Sequence, residues 1–124
     1  MRFISTKIHG MLDYVIGFLL IASPWIFGLA GGSAEMWVLI ASGLFVLGQT
    51  IFTDFELGLV PKISVITHLR IDLMLGLFLI VSPWLFNFVV NGWVLQVTFG
   101  IFVILASLIT RKISIYRQHS NLPF

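Results

Sequence analysis

Apolar residues dominate four stretches of the chain, roughly 5–29, 35–53, 63–90 and 93–110, and short polar or glycine-bearing breaks separate them. Each stretch is close to the ~20 residues that an α-helix needs to cross a ~30 Å hydrocarbon core. None shows the period-two alternation of a barrel strand, and backbone groups cannot stay unpaired in lipid. The pattern therefore predicts four transmembrane helices. The turn Ala30-Gly31-Gly32-Ser33 divides the first pair and Asn91-Gly92 the second. Ser33 is the expected N-cap of the second helix, with Glu35 in its first turn, where a carboxylate suits the helix dipole. Pro61 suits the first turn of the third helix, where a missing N–H costs nothing.

The polar residues inside these stretches recur. His9, Asp13, Gly17, Ser23, Pro24, Trp25 and Phe27 reappear without a gap as His68, Asp72, Gly76, Ser82, Pro83, Trp84 and Phe86. Both copies read His-x3-Asp-x3-Gly-x5-Ser-Pro-Trp-x-Phe, and Ile4-Ser5 and Ile63-Ser64 extend the match backwards. Gly43-Leu44-Phe45-Val46 matches Gly100-Ile101-Phe102-Val103 at a slightly shorter offset, which sets Asp54 against Arg111. Seven residue types do not fall into register twice by chance, so the chain is an internal duplication. Each repeat is a helical hairpin. Because a hairpin crosses the membrane twice, the copies share an orientation, and their expected pseudo-twofold axis runs along the membrane normal. The expected organisation is one membrane domain, 1–124: repeat one at about 4–53, a cytoplasmic linker at 54–62, repeat two at 63–110 and a basic cytoplasmic tail at 111–124.

Composition supports the bilayer as solvent. The chain is 59% hydrophobic and 10% charged, with a mean hydropathy of +1.08, whereas about a quarter of residues are charged in soluble domains. A net charge of +2 is too small to suggest nucleic acid. No cysteine occurs, which removes disulfide and thiolate chemistry. The N-terminal stretch superficially resembles a signal peptide, but Asp13 interrupts it and the same segment recurs internally, so it reads as a retained helix. All seven Lys and Arg (Arg2, Lys7, Lys62, Arg70, Arg111, Lys112 and Arg117) lie at the termini, in the central linker or in the first turns of helices one and three. The positive-inside bias then puts both termini and the linker in the cytoplasm, and Trp25, Trp37, Trp84 and Trp93 fall at the opposite ends as an aromatic belt.

His9, Asp13 and Gly17 are spaced to form one helix stripe, as are His68, Asp72 and Gly76. Charged groups avoid lipid, so both stripes should face the bundle interior, with Asp54, Glu56 and Arg70 at the same end. The simplest role is structural: His and Asp satisfy each other and fix helices one and three, while the glycines let those helices approach closely. Two His and two Asp also suit a zinc, manganese or iron ion. Alternatively, His9 and His68 are paired axial ligands of a b-type haem. A proton or ion path through Asp13 and Asp72 is a further reading, although Leu20, Ile21, Leu79 and Ile80 interrupt it outward, so it would need another protomer. In Ser-Pro-Trp, Pro24 and Pro83 free the carbonyls of Leu20 and Leu79 and end the helix. The serine hydroxyl then bonds a freed carbonyl, and the tryptophan anchors at the interface. A lipid-headgroup or quinone site between Trp25 and Trp84 is the rival reading. The tail, with Tyr116 and His119, reads as interfacial against anionic lipid.

A doubled Ser-Pro-Trp in the first helix of each hairpin, preceded by His and Asp, resembles the SPW-repeat family of small bacterial and archaeal membrane proteins. The Thr53-Asp54-Phe55-Glu56-Leu57-Gly58 run also resembles that family's linker. The resemblance implies an all-α, four-helix integral membrane protein, and it implies no activity. The leading expectation is a non-enzymatic scaffold or oligomerisation unit in the inner membrane of a prokaryote, with no cofactor, the bilayer as its partner and a second copy of itself as a candidate partner. A metal-, haem- or small-molecule-binding module comes next, then a proton-coupled or ion-conducting oligomer. No nucleophile–base arrangement and no His-Glu-x-x-His motif speaks for an enzyme.

Overall fold

The computed structural model describes residues 4–29, 31–90 and 93–110. The expected Asn91-Gly92 turn, the basic tail from Arg111 and the basic Arg2 lie outside these residues. Four helices run in order: α1 Thr6–Ile26, α2 Ala34–Ile51, α3 Val65–Leu85 and α4 Val94–Ile109. The first three, of 21, 18 and 21 residues, are long and apolar enough to cross a membrane, while α4 has 16. The fold is all-α, and the helices pack as two hairpins, α1 on α2 and α3 on α4.

Helix starts follow local chemistry. Ser5 Oγ accepts the Ile8 N–H, and Ser64 Oγ accepts the Thr67 N–H, each at 3.2 Å. A hydroxyl in this position satisfies one of the orphan donors of the first turn. Because Ser64 caps α3, the helix begins at Val65 and Pro61 stays in the linker, not in the first turn where the sequence suggested it. Ser33 occupies the N-cap of α2 without a side-chain capping bond, and Glu35 sits in the first turn as expected.

Helix ends are set by the repeated Ser-Pro-Trp. Pro24 lacks the N–H that would reach the Leu20 carbonyl, and Ser23 Oγ donates to that carbonyl instead, at 2.8 Å. Ser82 does the same for Leu79, also at 2.8 Å. Both helices stop two residues beyond the proline, at Ile26 and Leu85. The chain then passes through left-handed backbone at matching places, Gly28 at φ +71° and Asn87 at φ +59°. Such a residue lets the chain leave a helix while pairing its last carbonyls. Trp25 and Trp84 point outward, 60% and 55% exposed.

The glycines differ from expectation. They bring together the two helices of one hairpin, not α1 and α3. A Cβ on Gly43 would lie 2.6 Å from the Gly17 carbonyl oxygen, and one on Gly100 would lie 2.6 Å from that of Gly76. These are backbone-to-backbone contacts that only glycine permits. Around them Leu20, Leu39, Leu79 and Val46 form the closed apolar core, while Phe18, Met74 and Leu77 face outward.

Two short backbone bridges complete the frame. The Ile63 N–H donates to the Phe52 carbonyl at 2.8 Å, and the Ile4 N–H to the Ile109 carbonyl at 2.9 Å. The paired bridges Thr53–Ile63 and Ile4–Thr110 are therefore equivalents, and they tie each hairpin's end to the beginning of the other.

Gly100→Ala should lower stability in detergent by about 1–3 kcal/mol, because the added methyl meets backbone that cannot yield. Gly48→Ala, with open space around it, should be neutral or gain up to about 1 kcal/mol. Thermal unfolding of the two variants beside the parent checks both.

Candidate functional site

His9, Asp13, His68 and Asp72 meet in the bundle interior, all of them buried. His9 Nε2 lies 3.0 Å from Asp72 Oδ2 and 3.1 Å from Asp13 Oδ2. His68 Nε2 lies 2.7 Å from Asp13 Oδ2 and 3.2 Å from Asp72 Oδ2. The four polar atoms alternate nitrogen and oxygen around a small ring. Its two closest contacts, His9–Asp72 and His68–Asp13, cross from one hairpin to the other. The imidazoles meet edge to face, with centroids 5.5 Å apart.

Two threonines determine how the histidines present themselves. Thr53 Oγ1 lies 2.6 Å from His68 Nδ1, and Thr110 Oγ1 lies 2.7 Å from His9 Nδ1. Each hydroxyl has one proton, and each gives it to a backbone carbonyl: Thr53 to Gln49 at 2.6 Å and Thr110 to Ala106 at 2.5 Å. The hydroxyl oxygen is then an acceptor toward the histidine, so Nδ1 carries hydrogen in both rings. Both Nε2 atoms are thereby turned toward carboxylate oxygens. A bare lone pair there would repel the carboxylate, so the ring needs positive charge between nitrogen and oxygen. Two protons, making two imidazolium–carboxylate pairs, supply it, and so would one divalent cation.

The groups that touch the two aspartates are not symmetric. Gln49 Nε2 donates to Asp72 Oδ1. Thr50 Oγ1 lies 3.4 Å from Asp13 Oδ2 but donates to the Val46 carbonyl at 2.7 Å. The linker closes the quartet end. Gly10 has no Cβ where the Phe55 ring packs, Phe55 is buried, and the Tyr14 hydroxyl donates to the Leu57 carbonyl at 2.9 Å.

Of the accessory charges named from sequence, none joins the ring. Glu56 accepts from Thr6 Oγ1 at 2.7 Å, Asp54 is half-buried in the linker and Arg70 is exposed. Gly17 and Gly76 sit one turn beyond the aspartates, against α2 and α4. Thr53, Thr110, Gln49 and Thr50 were not singled out from sequence. Extending the Gly43/Gly100 match to Thr53/Thr110 would have found the first two.

Four ligating atoms within 4.8 Å of one another suit a single metal ion. The Thr53 and Thr110 hydroxyls hold the Nδ1 side of each ring, as the partners that orient metal-binding histidines do. Haem does not fit. The imidazoles touch edge to face, and the void beside them holds only about 10 Å³.

Thr53→Val and Thr110→Val should each cost about 1–3 kcal/mol, since each leaves a buried Nδ1–H without an acceptor. Nitrogen-15 imidazole spectra should show the fixed Nδ1–H form in the parent, its loss in each Val variant at the affected ring, and its retention in Thr53→Ser.

Among curated proteins and among solved structures, nothing matches the chain. The SPW repeat domain, in contrast, matches residues 7–110, which takes in both hairpins, both Ser-Pro-Trp sequences and the whole quartet. With its apolar helices, the chain is a multi-pass integral membrane protein, and it belongs to the SPW repeat domain family.

Proposed function

We propose that the protein is a non-enzymatic membrane scaffold whose buried quartet clamps two hairpins into one unit. We place it in the inner membrane of a prokaryotic cell with both termini cytoplasmic. The observation that carries the proposal is the pair of crossed contacts, His9 with Asp72 and His68 with Asp13. Two carboxylates and two imidazolium groups sum to zero charge, so the cluster suits an apolar interior without any added group. The basic residues cluster at the quartet end and in the termini, and no Lys or Arg occurs between residues 8 and 61 or between 71 and 110, which supports the orientation. The four core glycines are consumed inside the hairpins. Self-association therefore draws its support from the small size of a four-helix core rather than from exposed glycine faces.

A second reading, a divalent metal centre, is favoured by one specific feature: both Nε2 atoms and both Oδ2 atoms converge while the other imidazole nitrogens are anchored. Two neutral histidines and two carboxylates would balance a doubly charged ion of the zinc, manganese or iron type. An ion path has less support, because Leu20, Leu79 and Val46 close the core beyond Gly17 and Gly76.

Elemental analysis and thermal unfolding of purified protein, beside a His9→Ala/His68→Ala variant, separate the readings. Under the clamp reading the parent carries no stoichiometric metal, and removing one partner, as in Asp72→Ala, costs about 3–5 kcal/mol. One metal ion per chain, lost in the double variant, would replace the clamp by the metal centre. Unchanged stability in all variants would overturn the clamp.

A further inference from the structure

The pseudo-symmetry also fails at the end of the bundle opposite the quartet. A cleft of about 420 Å³ opens there between the end of α1 and the starts of α2 and α4. Phe27, Leu29, Trp93 and Leu95 give it apolar and aromatic walls, and Glu35 and Gln96 also line it. Both polar side chains are more than nine-tenths buried: Glu35 is 9% exposed and Gln96 1%. Among the described residues Gln96 Nε2 has no hydrogen-bond partner. Among the described residues no hydrogen bond or ion pair to the Glu35 carboxylate is formed. The equivalent positions in the other repeat are different. Gln96 stands where repeat one has Leu39, a fully buried core residue, and Leu29 stands where repeat two has the buried Phe88.

A buried amide donor without an acceptor is costly, and so is a carboxylate without a cation. Together they describe what is missing: a positive group beside Glu35 and an oxygen acceptor beside Gln96. No Lys or Arg lies in either loop at this end, so an anionic phosphate would have no partner. The rings of Phe27 and Trp93, which line the same cleft, suit an ammonium group as well. The apolar walls fit a hydrocarbon chain entering from the bilayer.

We propose that this cleft binds an amphiphilic amine that carries a neighbouring hydroxyl or carbonyl oxygen, its ammonium group at Glu35, its oxygen at Gln96 and its chain against Leu29 and Leu95. The site stands apart from the quartet and does not rest on the clamp. A free amphiphilic amine satisfies both polar groups. An aminophospholipid offers the same ammonium but adds a phosphate that nothing at this end neutralises.

The test is equilibrium binding of radiolabelled aminododecanol and dodecylamine to the full chain in phosphatidylcholine nanodiscs. Saturable binding of one aminododecanol per chain is expected, weakened at least tenfold by Glu35→Gln. In Gln96→Leu the preference for aminododecanol over dodecylamine should disappear while dodecylamine binding persists. Phosphatidylethanolamine in the nanodisc should not compete, and stoichiometric competition would transfer the site to the lipid headgroup and overturn the free-amine assignment. Should a variant fail to fold, carbodiimide coupling of aminododecanol to the parent decides instead. Labelling concentrated at Glu35 over Asp54 and Glu56 supports the site, and even labelling overturns it. Non-saturating partition into the nanodisc, unchanged by Glu35→Gln, would also overturn it.

Discussion

Two carboxylates in an apolar interior demand two positive charges beside them, and the whole structure is arranged around that demand. A single unpaired ion in a low-dielectric core costs several kcal/mol. Asp13 and Asp72 therefore cannot be placed independently of His9 and His68. Each histidine also needs a defined face turned inward, which Thr53 and Thr110 provide. Those threonines lie just past the ends of α2 and α4, so the ring depends on these two helices stopping where they do. The close glycine contacts within each hairpin hold α2 against α1 and α4 against α3.

Much of this architecture was legible in the sequence, for physical reasons. Lipid forces long apolar runs and internal backbone pairing, so helix number and approximate extent follow from hydropathy alone. The duplication did the rest: identical spacing of His, Asp and Gly on two helices implies that they meet at similar depth. The Ser-Pro-Trp chemistry was equally local, since the carbonyl that proline leaves unpaired is always four residues back. The start of α3 was misread because two capping signals competed. Pro61 is compatible with a first turn, but Ser64 offers a hydroxyl to a free N–H, and the hydroxyl sets the boundary.

What stayed hidden depended on helix rotation, which spacing does not give. The stripe carrying Gly17 and Gly76 could face either the opposite hairpin or its own partner helix. It faces its own partner, because Gly43 and Gly100 present equally bare backbone there. Thr53 and Thr110 were overlooked because threonine in an apolar run looks neutral until its neighbour is known. The unpaired Gln96 emerged only as a departure from a pattern, where one repeat needs a leucine and the other carries an amide.

The two equivalent backbone bridges have a consequence for how such a bundle can come about. Because Thr53–Ile63 and Ile4–Thr110 are the same joint made twice, the linker spans only one of two equivalent joints between the hairpins. Each hairpin supplies one histidine, one aspartate and one threonine, and so contributes one partner to each crossed contact, His9–Asp72 and His68–Asp13. A protein only one hairpin long would carry all the information needed to build the centre, provided that two molecules met about the twofold axis. The present chain holds both halves in one covalent unit, and within that unit they need not be alike, as Gln49 opposite Ala106 and Gln96 opposite Leu39 illustrate.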